Sequence, residues 1–595
     1  VTNIVTIDFE TYPIEKRPDY PPRPCGVAIN EPGRSDYYMS WGHPTENNCT
    51  KGEAKRKVKD LYKNHQILCH NGKFDLEVAE VHFGLPLVPP KGWHDSMLLA
   101  FLHNPREPSL KLKALADKYL GMPPDEQQRL KDWLFQHVPE AKRAKTEWGR
   151  YIYLAPGKLV GRYAKGDVSR TKKLYKLFYK DIVEKGMVKQ YEIEKRVILQ
   201  VIEMERIGVP IDYKSLEPDL IKAKKVMKRA ENAIRKTLGD INLDSPKQKI
   251  EVFERLGLVD EWEYGEPSKK TGQINPKTGI ESLLNVCTDK KLVHQLDTFS
   301  KYTKLLGTYM QPWLDSALAN DGRFYPWFNT IKGDNDKGTY TGRFSSNFQQ
   351  VPRQPKDKKM PVLRNYIIAD KKSHTLFNRD FSQQELRILA HFEDGQLLSA
   401  FLANPKMDAH NFIKEIMEDL TGQIYDRDDH VKPCNFLMVY GGGIPALSET
   451  IHVPLTEAKD ILRAHGKALP GVKELKNDLA VMARRDEQFR TAGGRWYEFE
   501  EGREFVGLNT LMQGSAADHT KRALLNIDDV LKAKDYDARL VLTVHDEFMI
   551  SGSRRQKKKL MADFKEAMEY DELFDLPMLS DGKIGDRWGQ MEKVE

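Results

Sequence analysis

The sequence predicts a multidomain protein that mixes α/β and α+β units. Three observations lead there. The chain has 595 residues, too many for one hydrophobic core. Short β-prone runs finish in acids at the start of the chain and again in its second half, Asn3-Ile4-Val5-Thr6-Ile7 before Asp8 and Thr375-Leu376-Phe377 before Asp380. Long stretches of helical spacing lie between them, among them Asp181 to Ile207 and Lys222 to Lys236.

Charged residues make up 30% of the chain and hydrophobic residues 40%, the balance of a water-exposed globular protein. Lys and Arg (94) exceed Asp and Glu (87) by 7, which permits a nucleic-acid partner without demanding one. No apolar run approaches a membrane span and no signal-peptide pattern opens the chain, so no membrane partner is expected. The five cysteines are scattered without a CxxC pair, as in reduced, cytoplasmic proteins. The first residue is Val rather than Met.

Alternation along the first strand puts Asp8 and Glu10 on one face. Two carboxylates side by side repel unless a cation lies between them. A second apolar run, Gln66 to Cys69, leads through a turn to Asp75. Tyr163 and Asp167 are four apart in a helical stretch and share its face. Four acids of this kind can hold two Mg²⁺ or Mn²⁺ ions about 4 Å apart, the arrangement for in-line attack on a phosphate. Asp95 opens another acid-led stretch and reads as structural.

In the middle, Gly208-Val209-Pro210 ends a helix. Lys222 to Lys236 is a basic helical run, either a solvated face or a track for a phosphate backbone. Ser245 and Pro246 read as the cap and first turn of a helix. Glu263 to Gly279 is polar and Gly/Pro-rich, the composition of a flexible loop. Thr341-Gly342-Arg343 offers Arg343 as a donor to a duplex minor groove, where acceptors recur in every base pair.

Asp380 then meets a partner in Arg539 to Ile550, which reads as strand, tight turn and strand with Asp546 at its tip. Packing that hairpin beside the strand before Asp380 would bring the two carboxylates together. Between them, Lys432, Phe436 and Tyr440 recur every four residues and line one helix face. A cation followed by two aromatics suits a triphosphate with a base stacked behind it.

Asp8-Phe9-Glu10, Asp75 and Tyr163 with Asp167 resemble the three motifs of the DEDD-type 3′–5′ exonucleases, in the variant with Tyr before the last Asp. The Leu110 to Ala116 segment is similar to a helix between those motifs. Asp380 to Arg387, Lys432 to Gly441 and His545-Asp546-Glu547 resemble the three polymerase motifs of family A DNA polymerases. The likeness extends to the exonuclease–polymerase part of bacterial DNA polymerase I and to phage replicative relatives. Thr341 to Arg343, Asp408-Ala409-His410, Asn509 to Gly514 and the tail Gly585 to Trp588 resemble further family signatures.

The resemblance implies an RNase H-like exonuclease domain over 1–190 and a right-hand polymerase domain over 191–595. Its thumb would span about 200–320, its palm about 321–395 and 515–595, and its fingers about 396–514. It implies Asp380, Asp546 and the Phe381 carbonyl as ligands of two Mg²⁺ ions, with Glu547 supporting. Lys432 and His410 would contact the triphosphate. Gln383 would belong to the dNTP site, and Glu385 would exclude a ribose 2′ hydroxyl. Phe436 would pack on the nucleotide, and Tyr440 would close the site. Arg343, Asn509, Gln513 and His545 would follow the primer–template DNA. Asp8, Glu10, Asp75 and Asp167 would hold the exonuclease metals, with Tyr163 orienting the attacking water.

Three positions depart from the family pattern. Phe381 replaces Tyr, Gln384 replaces Ile, and Asp428 stands where Arg precedes the Lys of the second motif. Arg427 or His430 is the substitute the neighbourhood offers, if Pro433 shifts the helix start. The exonuclease motifs begin at residue 8 and no thioredoxin-type insertion is seen, so a phage replicative enzyme in a bacterial cytoplasm, with replisome accessory proteins, is expected. A repair polymerase, an exonuclease with a non-polymerising DNA-binding domain, and an RNA polymerase are the alternatives.

Overall fold

The computed structural model describes residues 3–265, 267, 272–332, 338–355 and 357–594. Near the N-terminus, β1 (Ile4–Thr11), β2 (Pro24–Asn30), β3 (Tyr37–Ser40), β4 (Gln66–Cys69) and β5 (Trp93–Asp95) form one sheet, ordered β3-β2-β1-β4-β5. β1 pairs antiparallel with β2 and parallel with β4. Its near-continuous burial follows from cover on both faces. Helix α1 (Gly72–Phe83), α2 (Leu112–Leu120) and the long α3 (Gly157–Glu184) pack around this sheet. Asp95 caps a helix by accepting from Met97 N–H and receives Gly72 N–H at 2.8 Å, a structural use of its charge.

Helix α4 (Val188–Ile207) is buried around most of its circumference, apart from a charged stripe of Glu192, Arg196 and Glu203, and serves two cores. Tyr191, Ile198 and Ile202 face the N-terminal core, while Val197, Val201 and Met204 face the next. That next core contains an antiparallel sheet of β6 (His374–Phe381), β7 (Ala538–Val544), β8 (Glu547–Ser553), β9 (Ser580–Gly585) and β10 (Glu592–Val594), ordered β7-β8-β6-β9-β10. Helix α5 (Tyr213–Leu238) projects from it and pairs with α6 (Lys290–Lys304), with a small core of its own at the far end. Ser245 caps the helix Pro246–Arg255 as its sequence suggests.

The described residues of Glu263 to Gly279 form no helix or named strand, as expected of a loop, but its two ends are bonded together. Lys277 N–H donates to the Glu263 carbonyl at 2.7 Å and Gly265 N–H to Asn275 at 3.1 Å, so the segment folds back on itself. Residues 266 and 268–271 of it lie outside the described residues. Among the described residues, no helix is long and apolar enough to cross a membrane.

A helical core spans α7 (Gln384–Glu393), α8 (Ala409–Thr421), α9 (Lys432–Tyr440) and the start of α10 (Gly507–Ala533). Inside it His465 Nε2 donates to Asn435 Oδ1 at 2.5 Å, and Asn435 Nδ2 donates to His410 Nδ1 at 2.7 Å. Burial pushes both rings down from 6.5 to about 4, so each stays neutral and the chain of bonds keeps one direction.

Several polar ties join the N-terminal module to the rest. Lys521 and Glu194, both fully buried, pair at 2.7 Å, and the ammonium also donates to Thr330 O at 2.8 Å. Gln190 donates to Asp518, which also holds Arg495 at 2.6 Å. Arg106 pairs with Glu500 at 2.9 Å, donates to Thr510 Oγ1 at 3.0 Å and lies 4.3 Å over the Tyr340 ring.

A buried pair is most sensitive to losing one partner. Glu194→Gln should therefore lower unfolding stability by about 3 kcal/mol in a urea titration, and Glu194→Leu with Lys521→Met should recover most of it. Between about pH 6.5 and about pH 4 the unfolded chain takes up protons at His410 and His465 and the folded chain does not, so stability falls as pH falls through that window. His465→Gln keeps a donor for Asn435 and removes one titrating ring. Its loss of melting temperature from about pH 7 to about pH 5 should be smaller than the parent's, and an equal loss would discount the buried neutral ring.

Candidate active sites

The first cluster forms where β1 meets α3. β1 presents Asp8 and Glu10, and α3 brings Tyr163 and Asp167 one turn apart. Ligand oxygens of Asp8, Glu10 and Asp167 all lie within 4.8 Å of one another. Asp75 is not in that trio. It sits in the first turn of α1 and accepts Phe9 N–H at 2.9 Å, which locks it against the backbone between the two strand acids.

Burial is the largest influence on each of these carboxyls and raises them all. Asp8 reaches about 7, with the charge of Asp167 adding, while Glu10 and Asp75 stand well above the usual range. Asp167 Oδ1 is buried without a hydrogen-bond partner. An all-oxygen set of mutually repelling acids with one orphaned oxygen fits a hard divalent cation. Lys113 of α2 also enters the cluster, with Nζ 2.8 Å from Asp167 Oδ2.

The second cluster forms on the antiparallel sheet. In register, Asp380 of β6 lies opposite Glu547 of β8, and Phe381 N–H donates to the Asp546 carbonyl at 3.3 Å. The hairpin β7–β8 thus delivers Asp546 to the end of β6, with His545 in the left-handed region (φ 57°) to make the tight turn. Burial, then the charge of Asp380, pushes Asp546 up to about 8. Asp380 Oδ1 is buried without a partner, and Arg353 reaches Oδ2 at 3.1 Å. These oxygens too suit a divalent cation. Glu547 is otherwise engaged. Arg364 Nη1 donates to it at 3.3 Å and Trp588 Nε1 at 3.1 Å, and burial raises its carboxyl.

A cavity of about 340 Å³ opens beside this cluster. Arg343, Gln383, Glu385, His410, Phe436, Tyr440, His545 and Asp546 line it, drawn from five separate stretches of chain. Glu385 is its hub. Arg343 Nη2 donates to it at 2.7 Å and the Tyr440 hydroxyl at 3.1 Å. Arg343, anticipated along a duplex, is thus committed to Glu385 in this state. Gln383 (φ 55°) accepts Ala409 N–H at 2.9 Å and donates to Met407 O at 2.9 Å, so it anchors the start of α8 below His410. Phe436 and Tyr440 stack with centroids 6.4 Å apart.

Lys432, Asn509 and Gln513 do not line the cavity. Lys432 is about half exposed at the start of α9, and Asn509 and Gln513 lie in the first turns of α10. The backbone around Asp428 departs from a regular helix. Residues Arg427–Val431 form one wide π-type turn, in which Lys432 N–H donates to the carbonyl of Arg427, five residues back. One extra residue per turn puts Arg427 a wide turn before Lys432, while Asp428, 64% exposed, keeps Oδ1 4.0 Å from Lys432 Nζ and 2.5 Å from Arg427 Nη1. Asp408 holds Arg427 there, with Nε at 3.1 Å and Nη2 at 2.5 Å. His430 is bound instead to Asp426 N–H at 3.0 Å.

Some contacts had no sequence signal. Gln349 accepts His545 N–H at 2.9 Å, and its carbonyl meets His545 Nε2 at 3.0 Å. Gln384, buried, donates to His519 Nδ1 at 3.1 Å and Thr520 Oγ1 at 3.2 Å, while His519 packs 4.2 Å from Phe381. The two departures at Phe381 and Gln384 therefore meet at one histidine.

Comparisons with known proteins follow the same division. Residues 2–182 match the profile described as 3′–5′ exonuclease, and residues 214–590 match DNA polymerase family A. DNA polymerase I of Helicobacter pylori is 29% identical over 556 residues, covering 89% of this chain and 56% of that protein. The chain thus spans about half the length of such curated bacterial relatives. DNA polymerase DpoZ of Vibrio phage phiVC8 is 26% identical over 564 residues, covering 88% of this chain and 87% of that protein. The POL domain of Pol1 from M. smegmatis, solved in complex with DNA primer-template and dNTP, shares the fold at a TM-score of 0.77 and 22% identity, covering 98% of this chain and 95% of that one. With the profile matching well over half its residues, the chain belongs to DNA polymerase family A.

Proposed function

We propose that the chain extends a primer 3′ end on a DNA template with deoxynucleotides and removes 3′-terminal nucleotides at its N-terminal site. The observation that carries the reading is the cavity that sets Glu385, His410, Phe436 and Tyr440 against Asp546. Divalent cations, Mg²⁺ by expectation and Mn²⁺ as a substitute, would be held by Asp380, Asp546 and the Phe381 carbonyl in one site and by Asp8, Glu10, Asp167 and Asp75 in the other. They would supply Lewis acidity at phosphate.

The chain's own side chains do the remaining work. Asp380 and Asp546 mark where the primer hydroxyl and the incoming phosphates meet. Neutral His410 has its Nδ1 occupied by Asn435, so its Nε2–H is the group left to donate to phosphate. Lys432 and Arg427 sit one wide turn apart and supply cations for the outer phosphates. Glu385 closes the sugar pocket against a 2′ hydroxyl, and Phe436 and Tyr440 stack on the nucleotide. Tyr440 must release Glu385 to do so. Arg343, Asn509, Gln513 and His545 follow the primer–template. Glu547, held by Arg364 and Trp588, acts by keeping the β6–β8 pair in register. In the N-terminal site Tyr163 orients the water.

The domain division at about residue 190, with thumb, palm and fingers as anticipated, goes with this reading. A phage replicative role is favoured by the likeness to phage polymerases along most of both chains.

Primer extension and 3′ degradation in Mg²⁺ test the reading. Asp546→Ala should lower extension by about a thousandfold and spare degradation, and Asp8→Ala should do the reverse. Extension that persists in Asp546→Ala overturns the assignment. Arg427→Ala should raise the dNTP KM by about tenfold while Asp428→Ala leaves it near the parent value. A KM change confined to the Asp428 variant would refute the wide-turn explanation.

A further inference from the structure

We propose that Lys113 is a positioning residue of the N-terminal site. In the free protein its ammonium holds the place of a divalent cation beside Asp167. The acids then take their full set of cations only when a strand end draws Lys113 onto its phosphate. The inference rests on the exonuclease reading.

Four observations support it. Lys113 reaches the site from α2, an element that carries none of the acids. That helix is fixed at both levels that matter, since the Leu110 carbonyl accepts from His70 Nε2 at 2.9 Å and Leu115 and Ala116 are buried in the N-terminal core. The Lys113 ammonium lies 2.8 Å from Asp167 Oδ2 and 4.0 Å from the centre of the Tyr163 ring, on a side chain only 17% exposed. Asp167 Oδ1, by contrast, is buried without a hydrogen-bond partner. Arg170 Nη1 faces it at 3.6 Å but is bonded to Glu126, and Arg170 Nη2 donates to Pro123 O at 2.9 Å. Asp167 therefore presents one oxygen that accepts no hydrogen bond and one that Lys113 covers at bonding distance.

The residue type matters. Lysine is a compact charge on a flexible stem, able to pass between two nearby anions. The face of Tyr163 gives it a resting place by cation–π attraction, so leaving Asp167 does not mean loss to solvent. Arg353 beside Asp380 is a different case. Its side chain is 68% exposed, and water and salt screen it.

Mn²⁺ binding to the full chain, followed by electron paramagnetic resonance in an Asp380→Asn, Asp546→Asn background, tests this. With Lys113 present, bound Mn²⁺ should rise when a short single-stranded oligodeoxynucleotide is added. In Lys113→Met, and in Lys113→Gln as a second variant, the additional Mn²⁺ should bind without the oligonucleotide, about tenfold more tightly than in the parent. Lys113→Arg, which keeps the charge without the compact mobile ammonium, should bind the additional Mn²⁺ weakly with or without the oligonucleotide. Thermal melting identifies which variants are folded. Identical Mn²⁺ titrations in parent and either folded neutral variant overturn the proposal. Degradation assays on the parent separate the two failures. If the parent removes no 3′ nucleotides, the exonuclease reading falls. If it does and the titrations coincide, only the role of Lys113 falls.

Discussion

Carboxylates forced together in buried surroundings are the constraint on which the rest depends. The pairing of β6 with β8 fixes Asp380 opposite Glu547 and leaves Asp546 at the adjoining turn. A side chain cannot retreat from that arrangement without undoing the ladder beneath it. At the other site β1 and α3 do the same with Asp8, Glu10 and Asp167. Each cluster recruits partial relief from the protein itself, through Lys113 in one case and Arg353 and Arg364 in the other. Neither relief is complete, since Asp167 and Asp380 each keep a buried oxygen without a partner.

The cavity beside the second cluster follows a related logic. Glu385 is satisfied by Arg343 from one side and Tyr440 from the other, and in the proposed reading both partners are residues a substrate would need. The pocket is therefore held by contacts that occupancy must exchange rather than simply add. The carboxylate that limits which sugar fits is, in the proposed reading, also the latch that keeps the aromatic stack in place.

Much of this was legible in the chain. Period-two spacing placed Asp8 with Glu10, and four-residue spacing placed Tyr163 with Asp167 and Phe436 with Tyr440, while Lys432, on the same helix, stands outside the cavity. Apolar runs ending in acids located β1, β6 and the β7–β8 hairpin. What escaped were relations across large sequence separations. Nothing local to Gln349 indicates that it grips His545, and nothing near Glu547 indicates that Trp588 takes one of its oxygens. The wide turn at Arg427–Val431 escaped for another reason. A π-type turn is a backbone response to its context, with Asp426 capping it and Asp408 fastening Arg427, and residue spacing by itself assumes a regular helix. The loop reading of Glu263 to Gly279 agrees with the described residues, but composition reports polarity and not the backbone bonds that join its ends.

The ties between the N-terminal module and the remainder have a mechanical consequence. Helix α4 is shared by two cores, Lys521 and Glu194 are fully buried against each other, and Arg106 is gripped by Glu500, Thr510 and Tyr340. Such ties oppose a swing of one part against the other. In the proposed reading, a strand end that visits both sites then makes the journey itself, at a cost set by how readily the terminal base pairs open, so a mismatched end would travel more cheaply than a matched one.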